Sequence, residues 1–269
     1  MSKKLKEKIG FIGCGNMGSA ILEGLIKNKI ARPKRILVHD PAKRRMFLLR
    51  KRFFVRVCSS NEEVVKGASI ILLAIKPQEL KEVLTPLKPF LQNHTIISIL
   101  AGTPLIKLRN IVGLKNAVVR AMPNLGAKVG ESITALTGHL RGLQKAELIF
   151  AGCGETVQVR ERYFDVVTAV SGSGPAYFFL LMEMLANFAQ KSGLPLDQAN
   201  RLAVQTALAS GKLAKLIHLD PERLRKQVTS KKGTTEAALS VLFSEGFERI
   251  FEKALQKAVG RAGEISRCE

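Results

Sequence analysis

The sequence predicts an α/β chain in two parts, a doubly wound and mostly parallel sheet followed by an all-helical domain. Three observations carry this. Short, almost wholly apolar runs recur through the first half, too apolar for strands with one wet face, and amphipathic stretches separate them. Three glycines, Gly13, Gly15 and Gly18, sit between the first apolar run and the first helical stretch. From about residue 161 no convincing strand remains, and every periodic segment has helical spacing.

The elements follow in order. "KIGFI" reads as a buried strand and "NMGSAILEGLIKNK" as the helix after it. "RILVH" is a second strand, "PAKRRMFLLRKR" a helix with Pro41 in its first turn, and "FVRVC" a third strand. "SIILLAI" is too apolar for an edge strand, and "PQELKEVLTPLKPFL" is a helix interrupted by Pro86 and Pro89. "TIISIL" and "AVVRA" continue the sheet, and "SITALT" and "ETVQV" add two strands after residue 130. In the second part, "DVVTAV", "GPAYFFLLMEMLANFAQKSG", "LDQANRLAVQTALASGKLAKLI", "PERLRKQV" and "TTEAALSVLFSEGFERIFEKALQKAV" are helical. Asp220 is an N-cap with Pro221 at the first helical position, and Gly193 with Pro195 separates two helices. The domains are expected at 1–160 and 161–269.

Composition narrows the function classes. With 46% hydrophobic residues in 269, the chain can build a proper core. It carries 43 Lys and Arg against 22 Asp and Glu, a formal net charge of +21. The cations are spread along the whole chain, aromatics are 6% and Trp is absent, so a basic solvated surface is the reading and no nucleic-acid partner is expected. Cys14, Cys58, Cys153 and Cys268 show no C-x-x-C or zinc spacing, which suits thiols in a reducing cytoplasm and no metal. The basic start before "IGFIGCG" is broken by glycine too early for a signal peptide. "AYFFLLMEMLANFA" holds Glu183 and Asn187 and is too short to span a bilayer, so no membrane association is expected. His39, His94, His139 and His218 lie in no motif and receive no catalytic role.

The glycine triplet follows a strand, opens a helix and precedes Asp40 at the end of the second strand, the context of a Rossmann-type dinucleotide site. Gly13 permits the turn, Gly15 lets a pyrophosphate approach the backbone, and Gly18 lets helix and strand pack closely; the helix start then offers free N–H groups. A carboxylate at Asp40 suits ribose hydroxyls, and a 2′-phosphate ~4 Å away would feel ~4 kcal/mol of repulsion per unit charge. Lys43, Arg44 and Arg45 just beyond suit a phosphate instead. NADH and NADPH both stay open. Lys76, after the fourth apolar run, sits at the carboxyl end of the sheet, where ligands bind in such folds. Ser171, Gly172, Ser173 and Gly174 are poor helix filler and make sense where a cofactor or another domain comes close.

Together, "FIGCGNMGSA", "LLAIKPQ", "ILAG", "VVRAMPN", "TAVSGSGPAYFF" and "KKGTTEAAL", in this order, resemble the pyrroline-5-carboxylate reductase family from about residue 8 to 265. The resemblance implies a C-terminal dimerisation domain, a homo-oligomer built from dimers, and NADPH- or NADH-dependent reduction of 1-pyrroline-5-carboxylate to L-proline. By match, Ile12, Gly13, Cys14, Gly15, Asn16 and Met17 would hold the pyrophosphate, and Asp40 would read the adenosine ribose or its phosphate. Asn61 matches a cofactor-contacting position; Ala74, Ile75, Lys76, Pro77 and Ala101 match the nicotinamide side; Ser230, Gly233, Thr234 and Thr235 match the substrate turn.

The chemistry agrees with the residue types. An imine carbon is already electrophilic, so the protein needs no nucleophile and must place two rings face to face and anchor a carboxylate. In "TSKKGTTEAAL", Gly233 leaves room, Thr234 or Thr235 can cap, and the helix start faces an anion; a threonine hydroxyl could also bond the ring nitrogen. The chain departs from the family pattern at Lys231 and Lys232, where Pro-Gly is usual, and at Leu125 and Gly126, where Thr-Pro is common. Those departures and the high charge leave two alternatives, a paralogue acting on another cyclic imino acid and a catalytically idle regulatory or nucleic-acid-binding relative.

Overall fold

A computed structural model describes residues 4–267; Cys268 lies outside them. One sheet of eight strands, ordered β3-β2-β1-β4-β5-β6-β7-β8, organises the first part of the chain. Its strands are β1 (Ile9–Ile12), β2 (Ile36–His39), β3 (Arg56–Val57), β4 (Ile70–Leu73), β5 (Thr95–Ser98), β6 (Ala117–Met122), β7 (Ser132–Gly138) and β8 (Gly154–Gln158). All neighbours run parallel except β6 and β7, with β7 and β8 parallel to each other. The intervening helices are α1 (Asn16–Lys27), α2 (Lys43–Phe53), α3 (Asn61–Gly67), α4 (Leu80–Leu84), α5 (Leu105–Val112) and α6 (Leu140–Phe150).

The apolar runs are continuous because both faces of the sheet are covered. Alternate residues of a strand point to opposite faces. Thus Phe11, Ile70 and Leu72 join a core with α1, α2 and α6, while Ile12, Ile71 and Leu73 join another with α3, α4 and α5. The strand order reverses between β1 and β4, which opens a crevice at their carboxyl ends, the usual ligand site in open α/β sheets.

Several local expectations need correction. The second helix starts at Lys43 with Ala42 as its cap, so Pro41 precedes it. The third strand shrinks to two residues because Phe54 takes a left-handed conformation, φ 55°, that closes α2. α3, α5 and α6 have no counterpart in the sequence reading. α3 carries a readable signal all the same: Ser60 Oγ accepts the Glu63 N–H at 3.2 Å, and the Glu63 carboxylate accepts the Ser59 N–H at 2.7 Å, a variant of the capping box.

The rest of the chain is α7 (Phe164–Val167), α8 (Gly174–Lys191), α9 (Leu196–Ile217), α10 (Pro221–Gln227), α11 (Thr234–Ser244) and α12 (Phe247–Arg267). A π-turn, Thr168–Gly172, follows α7. The helical spacing predicts one segment over the last two helices, but the chain breaks at Gly246, φ 73°. Asp220 Oδ1 accepts the Glu222 N–H at 2.8 Å, as its capping position requires, and Gly193, φ 98°, turns the chain between α8 and α9.

The chain packs as two compact units. One runs up to Gly172 and takes up the chain again at Ala258; the other is Ser173–Lys257. Loss of strand pattern near 161 therefore precedes the packing boundary, since Phe164 and Ala169 are buried in the first unit. In the second unit the buried core is three alanines, Ala186, Ala199 and Ala203, which let α8 and α9 approach closely. Phe178, Phe179, Leu185, Phe188, Leu202 and Leu216 are all more than half exposed in the single chain. The helical run Glu161–Lys191, 31 residues taken through α7, the π-turn and α8, is long and apolar enough to cross a membrane by length and composition alone, a test that core helices of soluble proteins also pass.

Candidate functional site

The crevice is built on the turn after β1. Gly13 has φ 84°, its N–H donates to the His39 carbonyl at 2.9 Å, and a Cβ there would lie 2.6 Å from the Ala74 carbonyl oxygen. Gly15 is the N-cap of α1, which no side chain caps. A Cβ on Gly15 would meet nothing within 4 Å. Ile12 is buried at the end of β1, Asn16 is exposed and Met17 half-buried in the first turn of α1. An open approach to the backbone, in front of an uncapped helix start, fits a dinucleotide pyrophosphate.

Asp40 binds this turn rather than standing free. Its Oδ2 accepts the Cys14 N–H at 2.8 Å and an Arg45 Nη1–H at 2.8 Å, and its Oδ1 accepts the Ala42 N–H at 2.9 Å. Burial pushes the carboxyl pKa up, but these hydrogen bonds and the Arg45 charge outweigh it and leave the pKa below the ordinary value. The neighbouring Cys14 thiol is pushed up to about 12, by burial first and by the Asp40 charge second. It stays protonated and acts as a small core group. Asn61 opens α3, and its Oδ1 lies 2.7 Å from His39 Nδ1.

Beyond the turn lies a cleft of about 330 Å³ that includes Met17, Ala74, Ile75, Met122, Asn124 and Gly172. Of the positions assigned to the nicotinamide side, the structure brings Ala74 and Ile75 into this cleft beside Met17. Lys76 is exposed at the start of a 3₁₀ turn. Pro77 borders a separate hollow with Lys81, Lys88 and Lys107, and Ala101 is half-buried after β5. Met122 and Asn124 belong to the motif "VVRAMPN", but their residue types alone assign them no role in a cleft.

The second residue set lies in the second unit. Gly233 is the N-cap of α11 and has no side chain to cap with, so neither Thr234 nor Thr235 caps, contrary to expectation. Thr234 is the first helical residue, exposed, and Thr235 is half-buried. Ser230 closes the turn through its carbonyl, which accepts the Gly233 N–H at 3.0 Å. The Lys232 N–H donates to Glu236 at 2.6 Å, which leaves the first N–H groups of α11 without a side-chain cap. Lys232 itself has φ 59°.

Comparison with known proteins bears on this arrangement. Residues 161–265 match the family model for pyrroline-5-carboxylate reductase dimerisation, and residues 8–102 match that for NADP oxidoreductase, coenzyme F420-dependent. The pyrroline-5-carboxylate reductase of Synechocystis sp. is 39% identical over 97% of this chain and 98% of its own. This chain belongs to the pyrroline-5-carboxylate reductase family. The Pseudomonas aeruginosa member is 36% identical over 96% of this chain and 97% of its own. A structure of the Coxiella burnetii family member has a TM-score of 0.91 at 34% identity, covering 97% of this chain and 99% of that one. The Plasmodium falciparum member, solved with NADP bound, has a TM-score of 0.87 at 30% identity over 98% and 99% of the two chains. The apolar face of the second unit lies within the stretch matching the family's dimerisation model, and this match supports a homo-oligomer.

Proposed function

We infer that the chain carries out the family's reaction, hydride transfer from NADPH or NADH to the imine carbon of 1-pyrroline-5-carboxylate, giving L-proline. The observation that carries this reading is the turn at Gly13 and Gly15, open at Gly15, before an uncapped α1 and beside the cleft of Met17, Ala74 and Asn124. Reduced nicotinamide, when bound, supplies the hydride. The protein's residues do the placing. Ile12, Gly13, Cys14, Gly15, Asn16 and Met17 receive the pyrophosphate on backbone N–H groups. Asp40 fixes their conformation through the Cys14 N–H and stands with Asn61 at the adenosine end. Ala74, Ile75, Lys76, Pro77 and Ala101 form the nicotinamide side. Ser230, Gly233 and Thr234 hold the substrate carboxylate at the start of α11, and the Thr235 hydroxyl bonds the ring nitrogen. No group on this list needs to act as a nucleophile, in keeping with the protonated Cys14 thiol.

The oligomer is built from dimers through the apolar helices of the second unit, and the enzyme works in the cytoplasm. The test incubates purified protein with 1-pyrroline-5-carboxylate and each reduced cofactor and follows loss of the nicotinamide absorbance. Turnover, with none on 2-hydroxy or 2-keto acids, is the expected result. No turnover together with salt-sensitive DNA binding would overturn the reading in favour of an idle relative.

A further inference from the structure

Arg120, in the middle of β6, is 4% exposed. A buried charge is costly unless its partners are well placed. Its guanidinium lies over the Phe164 ring, 4.5 Å from the centroid, and Nη1 is 3.6 Å from Glu161 Oε1. The same Glu161 oxygen accepts the Leu105 N–H at 2.6 Å and so ties the start of α5 into the group. Burial lowers the Arg120 pKa, while Glu161 and Asp165 favour its charged form.

The segment Arg120 grips leads directly to the cleft. After Phe164 the helix widens into the π-turn Thr168–Gly172, with Thr168 Oγ1 donating to the Phe164 carbonyl at 2.8 Å. Such widened turns recur at functional sites. Gly172 is part of the cleft. Just beyond β6, Asn124 Nδ2 donates to Ser171 Oγ at 3.2 Å. The π-turn is therefore held at two points, by Arg120 through Glu161 and Phe164, and by Asn124 through Ser171.

We propose that Arg120 is a positioning residue for the reduction: its clasp on Glu161 and Phe164 sets the π-turn against Asn124, and so fixes the shape of the cleft that receives the nicotinamide ring. The proposal rests on the assignment of that cleft made above. Removing one partner of a buried ion pair costs stability, but the Glu161 side chain is 36% exposed and can be solvated when Arg120 is lost, so Tm measured beside the kinetics of Arg120→Met separates positioning from folding.

The test measures binding and kinetics on the full chain. For wild type, Arg120→Met and Arg120→Lys, dissociation constants are taken for the reduced cofactor and for ADP-ribose or its 2′-phosphate, which lack nicotinamide. Arg120→Met is expected to weaken the whole cofactor about tenfold while changing the fragment less than about twofold, and to lower kcat by roughly ten- to a hundredfold, as misplacement of reacting groups does. The isotope effect on kcat with cofactor deuterated at C4 is expected to rise, and Arg120→Lys to recover part of each loss. Equal weakening of cofactor and fragment, or an unchanged kcat and isotope effect, would overturn the proposal. If Arg120→Met does not fold, Glu161→Gln carries the same expectations and the same overturning results. Wild-type protein that binds the fragment as tightly as the cofactor would instead fault the cleft assignment.

Discussion

The carboxylate of Asp40 holds the backbone N–H of Cys14 at 2.8 Å across 26 residues of sequence. It thereby locks the turn after β1 to the end of β2. Arg45, from the first turn of α2, closes the arrangement at 2.8 Å from the same oxygen. The backbone of this turn is thus fixed by side chains of the protein's own fold. In a Rossmann-type sheet, the acidic residue at this point is usually read as a ribose ligand; here its first duty is to the protein.

Asp40→Asn should cost stability as well as cofactor affinity. A hydrogen bond to a buried charged group contributes about 1.5–3 kcal/mol, and a loss in that range is expected in urea unfolding at neutral pH. The folded pKa of Asp40 lies below its unfolded value of about 3.9. Its stabilisation is therefore fully present above that value and disappears as pH falls through the folded one. The gap between wild type and Asp40→Asn should stay constant down to about pH 5 and shrink below about pH 4.

The two turn glycines should separate folding from binding. Gly13→Ala forces a Cβ to within 2.6 Å of the Ala74 carbonyl oxygen at φ 84°, so it should destabilise the protein by about 1–3 kcal/mol. Gly15→Ala meets nothing within 4 Å and should leave Tm nearly unchanged. Its methyl group would occupy the approach to the backbone, so cofactor affinity should fall about tenfold or more, measured by equilibrium titration.

Thr235→Ala should lower kcat/KM by roughly ten- to a hundredfold, the value of a hydrogen bond to a charged group expressed as rate. Thr235→Ser keeps the hydroxyl and should recover most of it. A change below about twofold in steady-state kinetics would remove Thr235 from the mechanism.

Lys232→Gly should stabilise. Lys232 adopts φ 59°, a left-handed conformation that disfavours a residue with a Cβ by roughly 1–2 kcal/mol. A gain of about 0.5–1 kcal/mol in thermal or urea unfolding is expected, with the Glu236 contact from the backbone N–H retained.

Much of this architecture was legible in the sequence, for physical reasons. Runs such as "SIILLAI" could be read because a strand covered on both faces needs apolar residues at every position, and a glycine triplet between strand and helix has few other uses. Short helices were not legible. α5 buries Leu105, Leu108 and Val112 over eight residues, too brief a period to stand out, and α6 is capped by His139, not a usual capping residue. The break at Gly246 was invisible because the helical spacing resumes at once. What side chains do across the fold was hidden too. Nothing in "HDPAKRR" reveals that Asp40 reaches back to Cys14, and nothing in "VVRAMPN" reveals that Arg120 meets Glu161 and Phe164. The absence of a capping threonine at α11 depended on where the helix begins, a boundary the sequence leaves loose by a residue or two.

The second unit has only three buried alanines at its centre, while large aliphatic and aromatic side chains stand uncovered around it. Where copies associate through these side chains, as proposed above, folding and assembly of this part become one equilibrium. Dilution then acts as a denaturant: midpoints of unfolding should climb with protein concentration, and a lone copy should be the first species lost.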